Sequence, residues 1–247
     1  SGIDMKNSKL KKSYWLTPVL LGGLILSGCG GNSDFQSPPA AVSVVDSCPG
    51  VAAEVSFNGT NQYIDMGSVS GLAGDMTIEA WIYAEAANNW SRFVDLGINP
   101  SGNSVQDNIY LGFYGATGRI NLETKVSQAA IANQFVTTAT LPLNTWVHVA
   151  GVIMNDGSAK IYFDGVEKTS NFLLGTQHTV NNVTRTSNYI GRSNYLADGY
   201  FKGKVRNVRI WNEARSQAQI SAGMSNPLTA TDLSNPNRVC YTPTNKP

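Results

Sequence analysis

The chain has 247 residues, of which 42% are apolar, 9% aromatic and 14% charged. The apolar share supports a packed core and excludes wholesale disorder, while 24 glycines and many Asn, Ser and Thr stand where an average soluble domain carries charge, a turn-rich composition that suits a secreted all-β protein. The formal charge of +1 conceals an asymmetry: without Lys6, Lys9, Lys11, Lys12 and Asp4, the 18 basic and 17 acidic side chains become 14 and 16, which argues against a nucleic-acid partner held by a global basic field.

Residues 1–4 read as an expression scar before Met5, with an upstream start as the alternative. Residues 5–28 open with the basic stretch Lys6–Lys12 and continue with an apolar run, Tyr14–Leu26. That run falls short of the ~20 residues of a membrane span and ends in Leu26-Ser27-Gly28-Cys29. Basic region, apolar run and box together resemble a bacterial lipoprotein signal; the alternative is an ordinary secretory signal with a chance cysteine. The resemblance implies lipidation of Cys29 and a membrane partner, since each buried acyl methylene contributes about 0.8 kcal/mol. Gly30, where Asp would favour inner-membrane retention, points to the bacterial outer membrane with the leaflet left open. Residues 29–50 then read as the lipidated cysteine and a flexible tether. Cys48 and Cys240 remain, an even pair in an oxidising compartment. They bracket the domain and are expected to form a disulfide, which needs Cα atoms within about 7 Å. A metal role for them would lack any CxxC or nearby His/Cys cluster.

Residues 51–225 carry short alternating apolar/polar runs between turn signals, the pattern of half-buried strands. Val51–Phe57 stops at Asn58-Gly59-Thr60-Asn61, and Tyr63–Met66 stops at Gly67. Met76–Tyr83 is long; Arg92–Leu96 ends at Gly97. Asn108–Tyr114 and Arg119–Val126 flank Gly115-Ala116-Thr117-Gly118, a hairpin loop. Thr145–Met154 and Ala159–Phe163 flank a second turn, and Asp164-Gly165 leads into Val166–Thr169. Tyr189–Gly191 and Phe201–Trp211 close the set, followed by one short C-terminal helix near Arg215–Gly223 with Ser216 as its cap. Residues 226–247 read as a tail carrying Cys240. Strands without alternating helices make an all-β, two-sheet antiparallel sandwich of jelly-roll type.

Four segments occur in order: VSFNGTNQYIDMG (Val55–Gly67), MTIEAWIYA (Met76–Ala84), NTWVHVAGVIMNDGSAKIYFDGV (Asn144–Val166) and YIGRSNYLADGYFKGKVRNVRIWNEARS (Tyr189–Ser216). Together they resemble the laminin G-like, concanavalin A-like jelly-roll domain of bacterial surface proteins, over about residues 51–224. In one departure, Arg206-Asn207 stands where the family's last strand usually carries an acidic pair. The resemblance also implies one structural Ca²⁺, for which Asn58 and Asp198 are the candidate ligands; as ordinary turn residues they need no ion.

Catalytic chemistry is sparse. His148 reads as a packed histidine in the family's Trp-x-His-Val-Ala strand, or alternatively as a ligand or general base, and His178 sits in a polar loop. The two-carboxylate strand of glucanases on this fold is missing. Glu79 and Glu85 are six apart, and Asp164 and Glu167 lie across a turn. Tyr200-Phe201-Lys202-Gly203 only partly echoes the strand of alginate lyases. Ligand binding has better candidates, since sugars need aromatic faces beside planar polar groups: Asn88, Trp90 and Arg92 in one loop, Tyr110 and Tyr114 on one strand, and Tyr195. Lys202, Lys204 and Arg206 project from one face of the last strand, to meet an acidic ligand or to discourage strand addition. The expected protein is a monomeric, non-catalytic cell-surface module binding a glycan; the alternatives are adhesion to a surface protein, and a polysaccharide lyase or hydrolase.

Overall fold

The computed structural model describes residues 48, 53–99, 105–127, 132–172, 178–224, 228 and 230–247. The expected scar, signal, lipidated Cys29 and the tether up to residue 47 lie outside these residues.

Along the described chain come β1 (Val55–Asn58), β2 (Tyr63–Asp65), β3 (Met76–Ala86), β4 (Arg92–Ile98), β5 (Gln106–Phe113), β6 (Arg119–Thr124) and β7 (Asn133–Thr140). There follow β8 (Trp146–Ile153), β9 (Ala159–Phe163), β10 (Val166–Glu167), β11 (Thr169–Phe172), β12 (Ser187–Ile190) and β13 (Lys202–Trp211). The helices α1 (Gln217–Gly223) and α2 (Ala230–Leu233) and a last strand, β14 (Thr244–Lys246), end the chain. One sheet has the order β1-β13-β3-β8-β9-β10 and the other β11-β7-β6-β5-β4-β12-β2-β14. Their pairings are antiparallel. The expected two-sheet jelly-roll sandwich is the fold.

The core lies between the sheets. Period-two alternation sends Ile78, Ala80 and Ile82 of β3 and Ile109, Leu111 and Phe113 of β5 into one apolar cluster. Phe93 anchors it, with edge-on ring contacts of 5.3 Å to both Phe113 and Phe201. Full burial of each such side chain contributes roughly 1.5–3 kcal/mol.

The chain departs from the expected run Val166–Thr169 at Lys168. Asp164 and Gly165 both have positive φ, 48° and 74°, as a tight two-residue hairpin turn requires. After two residues of β10, the Lys168 N–H donates to the Ile161 carbonyl of the first sheet, while its own carbonyl accepts from Thr138 N–H of the second, each at 2.8 Å. The chain thus changes sheets at one residue. β11 and its neighbour β7 are additional to the expected strands, and Asn133-Gln134 and Thr137-Thr138 of β7 mask its alternation.

The C-terminal stretch read as a tail belongs to the sandwich. β14 pairs with β2, and Tyr241 is buried, its hydroxyl donating to the Val208 carbonyl at 3.1 Å. The disulfide Cys48–Cys240 is formed, with Cα atoms 4.9 Å apart. Ser216 caps α1 in a reciprocal capping box with Gln219. The single-turn α2 is additional to the one helix expected; its Asp232 accepts from Arg215 at 3.0 Å.

Candidate functional site

The outward face of the second sheet carries polar side chains. On β5, Asn108, Tyr110 and Gly112 alternate with the core residues, and on β6 Asn121 and Glu123 do so. The register aligns Asp95, Tyr110, Glu123 and Gln134 in one row across β4, β5, β6 and β7. Arg92 would fall on the opposite face from Asp95 by strict alternation. A register shift between Arg92 and Val94 restores it: Phe93 is the extra residue, and both Phe93 and Val94 turn into the core. Gly112, opposite Arg92, makes room for this, because a Cβ there would lie 2.5 Å from the Ser91 carbonyl and 2.8 Å from Arg92 Cα.

Arg92 organises what lies on that face. It is 3% exposed, and its guanidinium carbon sits 3.4 Å from the centre of the Tyr110 ring. Its Nη2 donates to Asp198 at 2.9 Å, and its Nε faces Asp95 at 3.6 Å. Nη1 finds no hydrogen-bond partner among the described residues. Asp95 accepts from Asn108 Nδ2 at 2.6 Å, Asn194 Nδ2 at 2.8 Å and Asn194 N–H at 3.1 Å. These bonds pin the segment 193–198 over the sheet, and the Asp198 carboxylate also accepts from Ser193 Oγ at 2.7 Å. Gly199 N–H completes the clamp by donating to the Asn89 carbonyl.

Further along the row, the Tyr110 hydroxyl donates to Glu123 at 2.8 Å and accepts from Asn121 at 2.5 Å. Gln134 Nε2 donates to the same Glu123 oxygen at 2.5 Å. Burial is the largest influence on each acid here: it pushes the Asp95, Glu123 and Asp198 carboxyls up, partly offset by Arg92 and the hydrogen bonds. Burial likewise raises the Tyr195 hydroxyl to about 12.

A pocket of about 390 Å³ opens between this row and the overlying segment, lined by Trp90, Arg92, Tyr110, Glu123, Gln134, Tyr195, Ala197 and Asp198. It brings together Trp90, Arg92, Tyr110 and Tyr195, four of the six residues expected at a ligand site. Asp198, expected at a metal, joins them. Tyr114 stands behind, edge-on to Trp90 at 5.0 Å. Asn88 serves as a brace, its amide donating to the Tyr200 carbonyl at 2.9 Å. Trp90 has φ of 52°, a left-handed backbone uncommon for a bulky residue. Hydrogen bonds from Trp90 N–H to Gly115 and from Ser91 N–H to Asn88 hold it there.

Asn58 Oδ1 accepts from the N–H groups of Thr60 and Asn61 at 2.9 and 3.1 Å, and the Oδ2 atom of Asp198 accepts from both Arg92 and Ser193. Among the described residues no group of three or more His, Cys, Asp or Glu is placed to hold a metal ion.

The first sheet's outward face is braced differently. Glu79 is fully buried, accepts from Trp211 Nε1 at 2.8 Å, and has Arg209, Arg215 and His148 within 4.0 Å. Asp164 accepts from the His148 N–H, and Glu167 pairs with Lys160. Lys204 pairs with Glu54 at 3.0 Å, and Arg206 stacks 4.5 Å over Trp146. The basic face is thus occupied within the chain, apart from the exposed Lys202. His148 is 1% exposed and packs edge-on to Trp81. Burial, with Arg209 and Arg215 nearby, lowers its pKa from 6.5 to about 3. The folded state therefore refuses a proton that the unfolded chain accepts below about 6.5, so this contribution is intact above that pH and lost as pH falls. At about 1.4 kcal/mol per unit, the stability gap between the wild type and His148→Gln should shrink by about 2 kcal/mol between pH 6.5 and 5. Urea melts at the two pH values read it; the difference between the proteins cancels the opposite trend of the raised carboxyls.

Residues 58–221 match the family described as the concanavalin A-like lectin/glucanases superfamily. No curated protein matches the chain in sequence. Among solved structures, a native heptameric SAP-like pentraxin from Limulus polyphemus is similar with a TM-score of 0.50 and 16% identity, over 78% of this chain and 93% of that one. Domain 4 of AbnA, a GH43 extracellular arabinanase from Geobacillus stearothermophilus solved with arabinotriose, gives a TM-score of 0.52 at 20% identity, over 70% of this chain and 81% of that one. The CBM40 of a Ruminococcus gnavus IT-sialidase, bound to α2,3 sialyllactose, gives 0.51 at 11% identity, over 71% of this chain and all of that one (100%). At such identities the likeness is one of fold.

Proposed function

Because this chain belongs to the concanavalin A-like lectin/glucanase superfamily, we propose that it is a non-catalytic carbohydrate-binding module whose ligand lies in the pocket between Trp90 and the segment 193–198. The observation that carries this reading is the pairing of partly exposed Trp90 and Tyr195 with planar hydrogen-bonding groups of Glu123, Gln134 and Asp198 around one cavity. Aromatic faces receive the C–H side of a sugar, and carboxylates and amides fix its hydroxyls. The arabinotriose and sialyllactose held by two fold relatives support a sugar ligand. A glycan array probed with the domain should give signals that Tyr195→Ala removes. An array blank for the folded wild type overturns the proposal.

In the same proposal, lipid on Cys29 holds the module at the outer membrane. Cys29→Ala, expressed in the full chain, should move the protein from the membrane fraction to the soluble fraction; unchanged fractionation counts against the anchor.

A further inference from the structure

Given a sugar ligand in this pocket, we infer that the ligand is an uncharged oligosaccharide and that the site discriminates against sialic acids and other anionic sugars. The inference deepens the carbohydrate-binding reading and rests on it. Its basis is the ionic inventory of the walls. Glu123 and Asp198 line the cavity, and Asp95 lies directly behind Arg92. Against these three acids stand Arg92 and, at the rim, Lys125, whose ammonium is 6.0 Å from the centre of the Tyr195 ring.

Arg92 is not free to serve as a receptor for a ligand carboxylate. Recognition of a carboxylate by arginine uses two parallel N–H groups of the planar fork. Here Nη2 is bonded to Asp198, Nε faces Asp95, and one face of the plane lies on Tyr110. Nη1 has no partner among the described residues, and Nε has no hydrogen bond beyond its ion pair with Asp95. A sugar hydroxyl in this cavity would set no further negative charge beside Asp198. A carboxylate would meet Asp198 and Glu123 in surroundings where charge is poorly screened. Burial already pushes both acids up toward their neutral forms, and another anion would oppose their ionisation further. The remaining lining is uncharged and suits a neutral polyol: Gln134 as donor and acceptor, Trp90 and Tyr195 as apolar faces.

The test is calorimetric titration of the domain with neutral probes (arabinotriose, xylotriose, cellotriose and lactose) and acidic ones (3′-sialyllactose and trigalacturonate), with the methyl ester of trigalacturonate as a charge-erased match. A neutral probe should bind at least tenfold more tightly than either acid, and the methyl ester should bind more tightly than its parent. Asp198→Asn, which keeps oxygen acceptors for Ser193 and Arg92, should narrow the gap at least threefold, and Glu123→Gln gives a second reading should the first variant fold poorly. Tightest binding of an acidic probe overturns the inference and leaves the carbohydrate-binding reading standing. Binding of no sugar by the folded domain overturns both.

Discussion

Trp90→Gly should weaken sugar binding at least about tenfold, a loss of some 1.4 kcal/mol or more, while costing the domain less stability than Trp90→Ala does. The two halves of this expectation have separate causes. The indole is the largest of the three aromatic rings that line the pocket, and truncating an aromatic anchor is the costliest kind of change at a binding site. For stability, two effects oppose each other. An L-residue in the left-handed region costs about 1–2 kcal/mol, which glycine does not incur. The contact of Trp90 with Tyr114 returns about 0.5–1.5 kcal/mol beyond burial, which glycine forfeits. Trp90→Ala keeps the backbone penalty and also loses the contact, so it should melt below Trp90→Gly. Calorimetric titration and thermal melts of the three proteins decide the matter. Equal melting of the Ala and Gly variants would show that the backbone at residue 90 holds no strain, and undiminished sugar binding would remove Trp90 from the site.

Arg92→Met should destabilise the domain by about 3–5 kcal/mol, the usual cost of removing one member of a buried ion pair. Methionine fills much of the volume but leaves Asp95, fully buried, with three amide donors and no cation. Asp198 loses its cationic partner as well, and the segment 193–198 loses one of its attachments to the sheet while those through Asn194 remain. For a domain of this size the melting temperature should fall on the order of 10 °C. The double variant Arg92→Met/Asp95→Asn should be less damaged than the sum of its parts, because the stranded charge is gone. Arg92→Lys should not restore stability, since an ammonium offers neither the flat face resting on Tyr110 nor a fork spanning two carboxylates. A melting temperature of Arg92→Met within a degree or two of wild type would show that the pair is not what holds this face together.

Much of the architecture was readable from the residues alone. Alternation in Met76–Tyr83 and Thr145–Met154, and glycines at 115 and 118, announce strands and a hairpin through local rules. β7 stayed hidden because polar Asn133 shares the parity of core-facing Phe135, while apolar Val136 shares that of outward Gln134, which breaks the alternation. The sheet change at Lys168 was hidden too, being set by the partners of one peptide unit. At the pocket, Trp90, Arg92 and Tyr195 stood out by their chemistry. Glu123 and Gln134 did not, being spaced along two strands without a motif. Glu123 was nonetheless within reach: the hairpin register that pairs Phe113 with Ile120 sets Tyr110 opposite Glu123. Asp95 carries no such signal, because ordinary alternation puts it on the other side from Arg92 and only the extra residue Phe93 reverses that.

The closure of Cys48 on Cys240 turns everything between them into a single covalent ring of sequence separation 192. One proteolytic nick anywhere inside that ring linearises it without releasing a fragment, and both new ends stay joined through sulfur and through the ladders of two sheets. Two cuts are needed before any piece departs. The ring thus gives the chain a tolerance of proteolytic damage that its packing alone does not confer.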